Sequence, residues 1–127
     1  MSVPADLSYT ATHEWVRRDD EGATVGITDY AQRELTDVVF VELPKVGRHL
    51  EAGEEMCALE SVKTVAYIYA PVAGVIAAVN EKLRKQPELI NQDPYGQGWI
   101  VRLTPDAPEQ PVALLDAAAY QVKTRAS

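Results

Sequence analysis

Only one cysteine, Cys57, occurs in the 127 residues, so no intrachain disulfide can staple the fold. A chain of that length buries a core without one. Cys57 lies in an apolar run before a turn, where a free cysteine reads as a small buried hydrophobe. The two histidines, His13 and His49, stand at no metal-ligand spacing from it. Cations are also scarce: 12 Lys and Arg against 19 Asp and Glu leave a formal charge of −7, which argues against nucleic acid as a partner. No apolar run approaches the roughly 18 residues of a membrane span. Residues 1–6 lack the basic-then-apolar pattern of a signal peptide and the Arg-rich character of a transit peptide. There is no Gly-x-Ser-x-Gly elbow, Walker loop or spaced carboxylate pair. The expectation is a monomeric, single domain over residues 1–127, cytoplasmic or else a mature form whose leader is missing, that binds no metal and is not an enzyme.

What is present is a run of β-branched and aromatic segments broken by turns. His13–Arg18 and Ala23–Ile27 read as strands around a four-residue hairpin loop, Asp19–Gly22. Thr28-Asp29 reads as an N-cap, with Gln32 placed to complete a capping box for a short helix from Tyr30 to about Leu35. Val38–Leu43 is a strong strand closed by Pro44. Pro44-Lys45-Val46-Gly47 and Pro71-Val72-Ala73-Gly74 repeat a Pro-x-x-Gly turn, one on each side of a central hairpin. Residues 80–85 show little periodicity, Pro87 reads as the start of a turn of helix, and Trp99–Leu103 reads as the last strand. Pro111 is expected to open a C-terminal helix over about 111–124, its apolar stripe being Leu115, Ala118, Ala119 and Val122. The fold class expected is mainly β, a flattened barrel or sandwich over about residues 8–104, with short helices and the C-terminal helix.

At the centre of the pattern is Leu59-Glu60-Ser61-Val62-Lys63-Thr64-Val65. Two strands meeting there put Lys63 at a hairpin tip, far from the core. Such a lysine is either an ordinary solvated turn residue or an amine presented to other proteins. A primary amine on a long stem at a rigid tip suits covalent attachment of a swinging arm.

Glu60-Ser61-Val62-Lys63 followed by Tyr69-Ala70-Pro71-Val72-Ala73-Gly74 resembles the lipoyl-lysine hairpin of the glycine cleavage system H proteins. His13-Glu14-Trp15, Val25–Gln32, Val41–Pro44, Pro94-Tyr95-Gly96 and Trp99 match that family in order and spacing, so the resemblance covers about residues 8–122. It implies a lipoyl group on Lys63 and a carrier role without catalysis. The cargo implied is the aminomethyl group of glycine, taken from the glycine decarboxylase to the tetrahydrofolate-dependent aminomethyltransferase, with electrons passed to dihydrolipoamide dehydrogenase. Glu60 matches the acid that helps lipoate-attaching enzymes recognise the site. Glu14 matches a residue lining the cleft that shelters the loaded arm; the bland alternative is a surface glutamate paired with Arg17 or Arg33.

The chain departs from the family after the lysine. Ala66 stands where a serine is usual and Tyr67 where an acid is usual, so the cleft is expected to rely on Glu14 with the Tyr67 hydroxyl. A biotin carrier would flank its lysine with methionines, and a 2-oxoacid dehydrogenase lipoyl domain would have Asp-Lys-Ala and no C-terminal helix. The sequence leaves two alternatives open: an H-like protein that relays lipoate to other complexes, and an unmodified interaction domain.

Overall fold

The computed structural model describes residues 2–107 and 114–125, and shows a mainly β molecule of two antiparallel sheets. The larger has the order β1-β2-β3-β9-β8-β5, formed by Ser8–Tyr9, Glu14–Asp19, Gly22–Ile27, Val101–Pro105, Gly74–Val79 and His49–Leu50. The smaller has the order β4-β6-β7, formed by Val38–Glu42, Glu55–Ser61 and Val65–Tyr69. The sheets do not close into a barrel.

Alternation along the strands decides what lies between the sheets. On the small sheet the cross-strand row Val41–Leu59–Ala66 and the pair Cys57–Ile68 face inward. Against them pack Val25, Ile27, Leu50, Ile76, Val101 and Leu103 of the large sheet, forming one buried cluster. A second cluster joins Leu7, Tyr9, Trp15 and Tyr120 where the two ends of the described chain meet.

The two Pro-x-x-Gly turns do the same topological job. Each carries the chain from the small sheet to the large one, from β4 to β5 and from β7 to β8. Their glycines serve different needs. Gly47 has φ of +95°, a conformation that an L side chain resists, and nothing crowds the position. Gly74 has no such dihedral; a Cβ there would sit 2.5 Å from the Thr104 carbonyl oxygen, so it lets β8 lie close against β9.

Several boundaries differ from expectation. Asp19 pairs with Gly22, which shortens the first hairpin loop to Asp20-Glu21. Helix α1 spans Asp29–Leu35, one residue earlier than expected, because Thr28 is the cap and its side chain accepts the Ala31 N–H. Gln32 reaches the Asp29 carboxylate at 2.7 Å instead of completing a box on the cap. Residues Glu81–Arg84 form a 3-10 turn capped by Asn80, α2 is only Leu89–Gln92, and β9 starts at Val101.

The largest difference is at the C-terminal helix. Residues 111–113 lie outside the described residues; Leu115 is extended, bridging Tyr9 by two backbone hydrogen bonds of 2.6 and 2.8 Å. Asp116 then accepts the Ala119 N–H at 2.8 Å, and helix α3 runs Ala117–Arg125. With the cap at Asp116, the face that docks carries Tyr120 and Thr124, while Val122 is 63% exposed. Of the expected stripe, Leu115 packs on the second cluster from its place before the helix, whereas Ala118, Ala119 and Val122 are exposed and do not form the packed face.

Candidate functional site

Lys63 sits at the tip of the β6–β7 hairpin and is exposed. Its backbone is held more firmly than a solvated turn requires. The Ser61 N–H donates to the Thr64 carbonyl at 2.8 Å, closing the loop. The Ser61 hydroxyl oxygen accepts the Lys63 and Thr64 N–H groups at 3.3 and 3.1 Å. This is the local side-chain-to-backbone bonding that makes serine a turn former. The Val62 N–H donates to the Asp37 carbonyl at 3.1 Å, tying the tip to the segment before β4. Ser61 is the residue whose structural role the sequence reading missed, although it lies inside the motif. The Lys63 amine takes part in none of the ion pairs formed among the described residues.

Glu60 stands on the outer face of the small sheet, in the cross-strand row Phe40–Glu60–Val65. The next row is Glu42–Ala58–Tyr67. Phe40, Val65 and Tyr67 are all exposed, so Glu60 is an acid set among apolar groups directly below the lysine. Tyr67 points out on this face and is not among the residues lining the cleft that holds Glu14.

That cleft, about 580 Å³, lies at the base of the hairpin and is lined by Thr10, Thr12, Glu14, Gly53, Tyr69 and Pro71 among others. Tyr69 follows Lys63 by six residues, about 20 Å along an extended strand. Glu14 is fully buried there. It pairs with neither Arg17, which donates to the Tyr95 carbonyl, nor Arg33, which pairs with Asp29. Its Oε1 accepts the hydroxyls of Thr10 and Thr12, the latter at 2.5 Å, and its Oε2 accepts the Tyr69 N–H at 3.3 Å. Burial pushes the Glu14 carboxyl above the usual carboxylate range, and these donors pull partly back. Sequence reasoning found Glu14 but neither threonine. The available signal was two hydroxyl residues within four positions of an acid in a turn-rich segment.

The turn carrying these residues is fixed from both sides. His13 has φ of +71°, a region in which histidine is enriched among non-glycine residues. Its Nδ1 meets the Tyr120 hydroxyl at 2.7 Å, which also meets the Thr28 hydroxyl at 2.7 Å. Burial, followed by the Lys123 charge, pushes the His13 imidazole below its usual value. A larger cleft, about 760 Å³, lies on the β4 side of the hairpin base, lined by Glu42, Met56 and Cys57 among others. Its Arg48 and Glu54 pair with each other at 3.0 Å, and burial makes the Cys57 thiol a poor nucleophile by pushing its pKa up. The smaller cleft is the one with a buried acid facing space. No cluster of three metal-ligating side chains forms among the described residues.

A two-sheet body with a braced, exposed lysine at one hairpin tip has the architecture of a lipoyl-type carrier domain. The family model described as glycine cleavage H-protein matches residues 7–127. The chain belongs to the glycine cleavage H-protein family. It is 57% identical over 121 residues to the glycine cleavage system H protein of Thermus thermophilus, covering 95% of this chain and 94% of that one. The corresponding protein of Symbiobacterium thermophilum is 53% identical over 124 residues, with 98% and 97% covered. The crystal structure of a glycine cleavage system H protein from Mycobacterium marinum superposes with a TM-score of 0.89 at 40% identity, covering 97% of this chain and 99% of that one.

Proposed function

We propose that this chain is the lipoylated carrier of a glycine cleavage system, with lipoate attached through an amide to the Lys63 amine. The observation that carries the reading is the tip itself: an exposed lysine outside any ion pair among the described residues, on a backbone fixed by Ser61, in a member of the H-protein family. The free amine and the open space around it fit the group. When bound, lipoate supplies the disulfide that takes up the aminomethyl group of glycine and is returned as a dithiol. The chain presents that site in turn to the glycine decarboxylase, the aminomethyltransferase and dihydrolipoamide dehydrogenase, and catalyses none of the steps itself. The relatives named above are bacterial, which supports a cytoplasmic setting.

Three side chains have further proposed roles. Glu60 offers a carboxylate beside the lysine for recognition by lipoate-attaching enzymes. Glu14 lines the cleft that shelters the loaded arm, where a buried carboxylate would stabilise an ammonium group. Tyr67 lies along the outer face between the tip and that cleft, flanking the arm's path rather than its end point.

Intact-protein mass spectrometry after coexpression with a lipoate ligase tests the attachment. One lipoyl-sized increment is expected, located on Lys63 by peptide mapping and absent in Lys63→Arg. No increment on the parent chain would favour an unmodified interaction domain. Glycine–bicarbonate exchange with the decarboxylase is expected only from the modified protein. Modified protein that fails in exchange but donates lipoate to other complexes would favour the relay reading.

A further inference from the structure

The two oxygens of Glu14 are treated unequally. Oε1 accepts two hydroxyls, from Thr10 and Thr12. Oε2 accepts the Tyr69 N–H, at 3.3 Å, and neither of these hydroxyls. Thr10 is the more constrained of the two threonines, because its oxygen also accepts the Glu14 N–H at 3.0 Å. With that N–H on the oxygen, the hydroxyl proton is directed to Oε1, and the side chain closes a ring on the residue it serves. The Thr10 and Thr12 oxygens are 3.3 Å apart, so each limits the rotation of the other.

We propose that Thr10 is a positioning residue for Glu14: with Thr12 it pins Oε1 and leaves Oε2 as the acceptor for a primary ammonium group entering the cleft. This rests on the reading that the cleft shelters the loaded arm. It accounts for how the cleft works with one acid, Ala66 and Tyr67 of β7 lying outside its lining. A lone buried carboxylate tends to take up a proton, and a protonated acid cannot counter a cation. Hydroxyl donors favour the ionised form, and their placement on a single oxygen keeps the other free.

The titratable groups facing Glu14 do not compete with it. Cys57 on β6 and Tyr120 on α3 are both pushed up, Tyr120 to about 12, by burial first and in part by the Glu14 charge. His13, next in the chain, is pushed down by burial and Lys123, although Glu34 acts the other way.

The test is the titration of the Glu14 carboxyl, followed by NMR in unmodified protein labelled with carboxyl-13C glutamate and assigned by its absence in Glu14→Gln. Thr10→Val, which keeps the branched shape without the hydroxyl, is expected to raise the Glu14 midpoint by about half to one pH unit. Thr10→Ser is expected to restore it. An unchanged midpoint in a folded Thr10→Val or Thr10→Ala protein would overturn the proposal. Decay of the aminomethyl-loaded holoprotein separates this inference from the reading beneath it. Glu14→Gln is expected to shorten the lifetime, and Thr10→Val to shorten it by about 3- to 10-fold, the equivalent of a lost hydrogen bond. An unchanged lifetime in Glu14→Gln would reject the sheltering role, whatever Thr10 does to the titration. A shorter lifetime in Glu14→Gln with none in Thr10→Val would reject Thr10 alone.

Discussion

At the scale of single residues, Glu14 is the side chain whose place in the fold is hardest to justify by stability. It is fully buried, lacks a cationic partner among the described residues, and has its carboxyl raised above the ordinary range by burial. A group raised in this way binds its proton more tightly in the folded state than in the unfolded one. Stability is therefore lost as pH climbs from the ordinary carboxylate value, about 4.3, through the raised one. Glutamine removes that titration while keeping the shape. Between about pH 4 and pH 7 the difference in Tm between Glu14→Gln and the parent is expected to move in favour of the glutamine variant. A difference that stays constant across that range would mean the carboxyl folds at no electrostatic cost. Lys63 is the opposite case: it contributes to no ion pair among the described residues, and the role proposed for it lies in what is joined to it.

At the scale of elements, α3 serves less as a wall of the core than as a brace for the turn beneath the cleft. Its Tyr120 ring stacks on Tyr9 with centroids 4.7 Å apart, and its hydroxyl meets both His13 and Thr28. Tyr120→Phe keeps the stack and removes the hydroxyl. The expected loss is about 1 kcal/mol, read as a lower urea midpoint with an unchanged m value. How far these elements were legible follows from what each one signals locally. Val38–Glu42 and the lysine hairpin announce themselves through β-branched and apolar runs, and Gly47 through its turn. The start of α3 was obscured because Pro111 and Asp116 are both acceptable helix openers, and only pairing of Leu115 with Tyr9 decides between them. The docking face then rotated onto Tyr120, a residue that a count of aliphatic side chains passes over. The burial of Glu14 had no local signature either, since its neighbours His13 and Thr12 are polar. It arises from β7 lying against a turn 55 residues earlier in the chain.

At the scale of the whole molecule, the two Pro-x-x-Gly crossings hold the small sheet over the large one and so set the height of the hairpin base. Gly74 is where that arrangement has least slack. Gly74→Ala would drive a methyl group into the Thr104 carbonyl and force β8 from β9. Overpacking of this kind costs about 1–3 kcal/mol. The expected result is a lower urea midpoint together with faster amide exchange along Val75–Val79. Retained stability would show that the two strands separate more easily than their pairing implies.

The tie between the Val62 N–H and the Asp37 carbonyl gives the molecule a fixed pivot. A tether whose base does not wander spends its conformational freedom in the side chain alone, within a volume of constant radius. Under the function proposed above, the effective concentration of anything carried there is then set by arm length, and is the same for every enzyme that docks over the tip. Successive partners can in that way be matched by geometry instead of by affinity, each needing only to place its reactive centre on the same sphere.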